Sequence, residues 1–318
     1  MVAVETRDVT FPPPFWLHDA SITVRVLDSL VELGVFAALD DRPQRVDDLA
    51  AALGLERRPL ELALDVASRT AVVHRTPDER WVLRDPAALE MTIPREALST
   101  LLRGRGPMRD VSDADVSDET YTRVAQRIGW MASLLQDELI PALRDPGQHV
   151  LELAAGSSPW GRALCADDPT TTVTAVDLPH VIDTTRAVVA HDGHDERYEF
   201  VTGDVFDVDL DRTADLVLLA AFCRLVGPDR NEALFARAAE WCAPGGRIAV
   251  IDAVATDRAR ADGISGYELG LLTRTSTGRC WTLDHYARWL TAAGFGHLDL
   301  VPTSRPEMTL VTAERLED

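Results

Sequence analysis

The stretch "HVLELAAGSSPWGRALCADDPTTTVTAVDLP", residues 149–179, decides the fold. It opens on an apolar run, passes through five small residues (Ala154, Ala155, Gly156, Ser157, Ser158), and continues from Pro159 as a helical pattern. A second apolar run, "TVTAVD", follows and ends at Asp177. Strand, tight turn, helix and strand in that order make one parallel crossover unit. Small side chains at 154–158 let backbone N–H groups approach a ligand closely, and the helix after Pro159 adds its positive end. The dinucleotide fingerprint carries glycines where this turn has Ala154, Gly156 and Ser158, so pattern matching alone does not name the ligand. Alanine suits position 154 provided that its φ stays negative.

Working outward, the runs "YEFVTG", "ADLVLLAA" and "GRIAVIDAV" alternate with amphipathic helical segments. Such alternation predicts a doubly wound α/β sheet with crossover helices on both faces. The last runs, "HLDLV" and "MTLVTAE", are joined only by "PTSRPE", too short for a parallel crossover, so they are expected to form an antiparallel C-terminal hairpin. Ligands of open α/β sheets bind beyond the carboxyl ends of the strands. Glu152, the turn, Asp177 and Asp204 of "TGDVF" all fall there, and a carboxylate at 177 suits a ribose diol because it accepts two hydrogen bonds.

The N-terminal part has another texture. "SITVRVLDSLVELGVFAAL", residues 21–39, is apolar on most of a helix circumference and is read as one helix buried on several sides, against its own domain and a second subunit. Two short helices around Gly54 and a hairpin turning at Pro77 and Asp78 then predict a mostly helical winged-helix domain. The expected organisation is a winged-helix domain over 1–100, linker helices over 101–145 and a Rossmann-like domain over 146–318.

The chain has 52 acidic and 32 basic residues, a net charge of −20, and every basic residue is arginine. That balance argues against nucleic acid and anionic lipid as partners, and Glu56, Glu61 and Asp65 flank the arginines of the would-be reading helix. Without lysine there is no Schiff base and no Walker lysine. Four widely spaced cysteines and an N-terminus without a charged start and apolar stretch predict a cytoplasmic protein. The acidic segment 110–119 reads as a solvated loop, and no metal is expected.

Taken in order, Glu152, the turn, "VDLPHVI", "GDVF", "PGGRIAVIDAV" and "YELGLLTRTSTGRCWTLDHYARWLTAAGF" resemble the class I S-adenosylmethionine-dependent methyltransferases, in particular the small-molecule O-methyltransferase group with an N-terminal winged-helix dimerisation domain. The resemblance covers nearly the whole chain. It implies the seven-stranded methyltransferase sheet, an intertwined homodimer, S-adenosylmethionine as cofactor and a small molecule of specialised metabolism as acceptor; a further protein partner stays open. It places Glu152, Ala154, Gly156, Asp177, Leu178, Asp204, Val205 and Ala221 at the cofactor. It roofs the acceptor site with the segment of Trp281, Tyr267 and Arg274, although core packing is the commoner role of a tryptophan such as Trp281. Tyr121 and Trp130 on the linker helix are read as the opposite wall, Asp110 as a further catalytic candidate, and His18 as reaching a partner subunit's pocket or as a surface or capping residue.

One segment departs from the family. Its members follow the fourth strand with Asn-x-x-His, whose histidine takes the acceptor proton, whereas this chain reads "AAFCRLVGPDR", with Ala221 and Arg224 at those places. Arginine stays protonated and cannot act as a general base. Two readings stand. In one, Arg224 is a surface or ion-pair residue and the base lies elsewhere. In the other it faces the acceptor and holds an anionic group by its planar fork, which would suit methyl transfer without a base or an intramolecular ring closure with an anionic leaving group.

Overall fold

The computed structural model describes residues 14–70, 72–84, 101–103, 128–129, 131–261, 264–273, 275–305 and 308–317, and the chain groups into two compact units, 1–92 and 93–318.

In the first unit, helices α1 (Pro14–Glu32), α2 (Val35–Asp41), α3 (Val46–Leu53) and α4 (Arg57–Ser68) precede a hairpin of β1 (Val73–Arg75) and β2 (Trp81–Leu83). The stretch 21–39 is two helices and not one, because Gly34 takes φ 72° between them. Gly54, at φ 66°, ends α3 in the same left-handed manner, a conformation glycine adopts without a Cβ clash. Leu30, Phe36, Leu49, Leu64 and Trp81 form the core of this unit.

In the second unit residues 101–102, 128–129 and 131–133 are helical, and α5 spans Gln136–Leu143. Then come β3 (His149–Leu153), α6 (Pro159–Asp167), β4 (Thr172–Asp177), α7 (Pro179–His191), β5 (Tyr198–Thr202) and β6 (Ala214–Ala220). After these follow α8 (Pro228–Glu240), β7 (Cys242–Asp252), α9 (Asp257–Ala261), α10 (Ile264–Leu272), α11 (Leu283–Ala292), β8 (Phe295–Val301) and β9 (Thr309–Arg315). The strands form one seven-stranded sheet in the order β5-β4-β3-β6-β7-β9-β8. The first five are parallel; β9 runs antiparallel to both β7 and β8, the hairpin expected from the short link.

The central strands are apolar on both sides because both faces are covered. Along β6, Val217 and Leu219 join Phe235, Tyr286 and Trp289 on one face, while Leu216 and Leu218 join Leu139, Leu143, Trp160 and Leu164 on the other. The strand period of two sorts them. The same alternation puts Glu152 on the face of Val150, opposite Leu151 and Leu153. All four cysteines are buried thiols. Chain order reverses direction between β3 and β6, so the crevice beyond their carboxyl ends is the topological switch point. No helix among the described residues is long and apolar enough to cross a membrane.

Candidate functional site

The turn after β3 stands at that switch point. Ala154, Gly156 and Ser158 take φ 53°, 58° and 49°. Ala154 therefore does not keep the negative φ expected of it, and with Ser158 it is held in a left-handed conformation that costs a non-glycine residue roughly 1–2 kcal/mol. Hydrogen bonds enforce the shape. Ala155 N–H donates to the Val176 carbonyl at 3.1 Å, Ser158 N–H to the Ala155 carbonyl at 2.7 Å, and Gly156 N–H to Asp177 Oδ2 at 2.7 Å. Thr185 on α7 donates its hydroxyl to the Gly156 carbonyl at 2.5 Å. Strain held in place by its surroundings is a mark of a binding turn.

Asp177 ends β4 beside this turn, and Leu178, the residue before α7, donates its N–H to Asp177 Oδ1 at 2.8 Å. Burial pushes the Asp177 pKa up, while the Gly156 and Leu178 N–H groups pull it back. Asp204 lies in the loop after β5, its Oδ1 accepting from Phe206 N–H at 3.0 Å; Val205 is buried. Ala221, at φ 59°, follows β6 with its N–H on the Ile251 carbonyl at 2.8 Å. Thus Ala154, Gly156, Asp177, Leu178, Asp204, Val205 and Ala221 all fall at the carboxyl rim of neighbouring strands.

Glu152 does something else. Its side chain is buried on the far side of the strand, where it accepts from the Ser158 hydroxyl and the Gly161 N–H, and the Ser158 and Tyr198 hydroxyls lie 2.9 Å apart. Burial raises its pKa to about 7. Expected to line the cofactor pocket, Glu152 instead supports the turn from beneath. The reason is register: alternation along β3 sends residue 152 under α6.

Arg224 belongs to the first of its two readings. Its side chain is 6 % exposed, and Nη1 reaches Asp252 Oδ1 at 3.0 Å. Its backbone N–H donates to the other oxygen of the same carboxylate at 2.9 Å. The guanidinium lies over the Tyr267 ring, 5.2 Å from its centroid. Burial alone would lower the Arg224 pKa, but Tyr267 and Asp252 together raise it, so the cation is permanent. An anion clamp open to substrate is not what this geometry presents: the carboxylate that Arg224 holds is the chain's own. Asp252, at the end of β7, was missed by sequence reasoning; its only signal was an acid closing the apolar run "GRIAVID".

Trp281 is a core residue rather than an acceptor-facing one. It is 2 % exposed, donates its Nε1–H to the Cys223 carbonyl at 2.9 Å and packs edge-on to Trp289. Its expected place at the acceptor came from the segment and not from the register. Tyr267 is half-buried on α10. Asp110, Tyr121, Trp130 and Arg274 lie outside the described residues, as does the His18 side chain. Phe206, Phe222 and Arg230 are also at the rim; they fall inside the quoted "GDVF" and "AAFCRLVGPDR" segments, but nothing in either marked them as site residues.

Residues 134–296 match the model of the O-methyltransferase domain, slightly more than half of the chain. The chain belongs to that family. The chain is 31 % identical over 113 residues to the tetracenomycin polyketide synthesis 8-O-methyl transferase of Streptomyces glaucescens, covering 35 % of the chain and 33 % of that relative. It is 27 % identical over 164 residues to the 3-amino-4-hydroxybenzoate 4-O-methyltransferase of Streptomyces cremeus, covering 52 % of the chain and 44 % of that relative. The matched segments thus span less than half of either curated relative. Over 98 % of the chain the fold is similar to human N-acetylserotonin methyltransferase, solved in complex with SAM, with all of that chain covered, a TM-score of 0.73 and 20 % identity.

Proposed function

We propose that this O-methyltransferase-family chain transfers a methyl group from S-adenosylmethionine to a small-molecule acceptor of specialised metabolism, without a histidine base. The strained turn 154–158 against Asp177 is the observation that carries it. Residues with positive φ bring backbone close to the crevice, Asp177 is fixed at its edge by two N–H groups, and α6 directs its N-terminus there. These residues fit a nucleoside with a ribose diol. When bound, the sulfonium cofactor supplies an electrophilic methyl group. The chain's part is positioning and exclusion of water, which lower a displacement barrier by holding reactants in line.

At the place of the family's histidine, Arg224 stays protonated at working pH and cannot take the acceptor's proton, and Asp252 already neutralises its charge. With no base at position 224, an acceptor that ionises by itself or reacts as a neutral nucleophile fits this reading, and its rate should follow its own pKa. Ring closure with an anionic leaving group, the other reading of Arg224, needed a free guanidinium and loses its main support. The exposed apolar side chains Ile22, Val24, Val31 and Leu33 favour a homodimer as the working form.

Calorimetric titration with S-adenosylmethionine and S-adenosylhomocysteine tests the reading. Saturable binding of both with one-to-one stoichiometry is expected. Silence from a folded protein refutes it, and turnover of an acceptor without incorporation of label from methyl-labelled cofactor would restore ring closure.

A further inference from the structure

Arg230 occupies a position that local physics disfavours. It stands in the first turn of α8, where the helix dipole prefers acids, and its side chain is 58 % exposed. Yet its guanidinium has a specific target: its central carbon lies over the Phe206 ring, 3.9 Å from the centroid, with Nη2 3.9 Å from Asp204 Oδ2. Phe206 in turn meets Phe222 at 6.2 Å between ring centroids.

The topology makes this contact unusual. Phe206 and Asp204 follow β5, whereas Phe222 and Arg230 follow β6, and β4 and β3 lie between those strands. Strand spacing puts β5 and β6 about 14 Å apart, so the two loops meet by reaching across the carboxyl ends of the strands that carry Asp177 and the turn 154–158. Asp204 is shaped for the task. Its carbonyl accepts from Asp207 and Val208 N–H, and Oδ1 accepts from Phe206 N–H, which leaves Oδ2 on the side of Arg230. The result is a flat cation, an aromatic ring and a carboxylate on one edge of the crevice.

We propose that Arg230 is a specificity residue for the nucleobase of the cofactor: its guanidinium and the Phe206 ring supply the flat surfaces against which the base stacks, and Asp204, kept in place by Arg230, accepts from the base's exocyclic amino group. This rests on the cofactor reading above and adds to it a residue that no motif marks. Guanidinium planes and phenyl rings both stack on π-faces, and an exposed long side chain opens and recloses at little cost.

The test is calorimetric titration of S-adenosylhomocysteine and of adenosine into the full chain, unaltered and as Arg230→Ala, Arg230→Lys and Arg212→Ala, the last altering an exposed ion pair with Glu199 elsewhere. Arg230→Ala should weaken both ligands by about tenfold, and by the same factor, because the lost contact is with their shared base. Arg230→Lys keeps the charge but not the flat face and should lose most of the same affinity; Arg212→Ala should lose none. Binding by both Arg230 variants within about twofold of the unaltered chain, or full recovery in Arg230→Lys, overturns the proposal while leaving the cofactor reading intact. Absence of binding by the unaltered chain overturns the cofactor reading itself.

Discussion

At the scale of single residues, two buried acids govern the behaviour of the site in opposite ways. Asp252 is paired, accepting from the Arg224 backbone, the Arg224 guanidinium and, at 2.8 Å, the Ala253 N–H. Removing one member strands the other's charge in a buried place. Asp252→Asn or Arg224→Ala should therefore lower unfolding stability by about 3–5 kcal/mol, measured by urea denaturation at neutral pH. Glu152 is the reverse case, an acid that the fold prefers neutral. Its folded pKa, about 7, is above the ordinary 4.5. Its stabilising contribution is thus complete below about pH 4.5 and is lost as pH rises through about 7, with a slope of up to about 1.4 kcal/mol per pH unit in between. Glu152→Gln keeps the shape without the titration. In denaturation curves at pH 5 and pH 8, the unaltered chain should lose stability relative to Glu152→Gln, and parallel curves would disprove the assignment. Neither role was legible in the sequence. An acid at the end of a strand reads the same whether it meets a ribose, an arginine or a serine, since the partner comes from another part of the chain.

At the scale of elements, the sequence was far more informative. Runs of alternating and continuous apolar residues named β3, β4, β5 and β6, and the short link "PTSRPE" named the antiparallel pair, because strand period and loop length are local properties. Misreadings arose where one residue interrupts a pattern, as when Gly34 divided the expected single helix. The packing of α6 on β3 has a consequence of its own. A Cβ at Gly161 would stand 2.7 Å from Glu152 Oε2, 2.7 Å from the Tyr198 hydroxyl and 2.8 Å from Ser158 Oγ. Gly161→Ala should displace α6 from the turn, costing about 1–3 kcal/mol in thermal or urea unfolding, and should weaken S-adenosylhomocysteine binding by more than Gly193→Ala. The latter is a left-handed glycine with open space around it, so only backbone strain is at stake there.

At the scale of the whole molecule, the exposed apolar side chains of α1 predict that light scattering behind a sizing column reports twice the 34.9 kDa chain mass, and that Val31→Asp with Leu33→Asp moves the species toward the monomer. A monomer in the unaltered protein would reject the dimer. The net charge of −20 should also keep the protein from retaining DNA at low salt. Composition, periodicity and turn chemistry by themselves determined the class of fold, the strand directions and the rim where a ligand belongs, since each depends on neighbours along the chain. Only the tertiary structure decided what each rim residue does there. Arg224 met Asp252 from a strand 28 residues away, Glu152 turned under α6, and Arg230 crossed the crevice to Phe206. Those pairings join segments that the sheet order, not the sequence order, makes neighbours, and side-chain partners follow from that order alone.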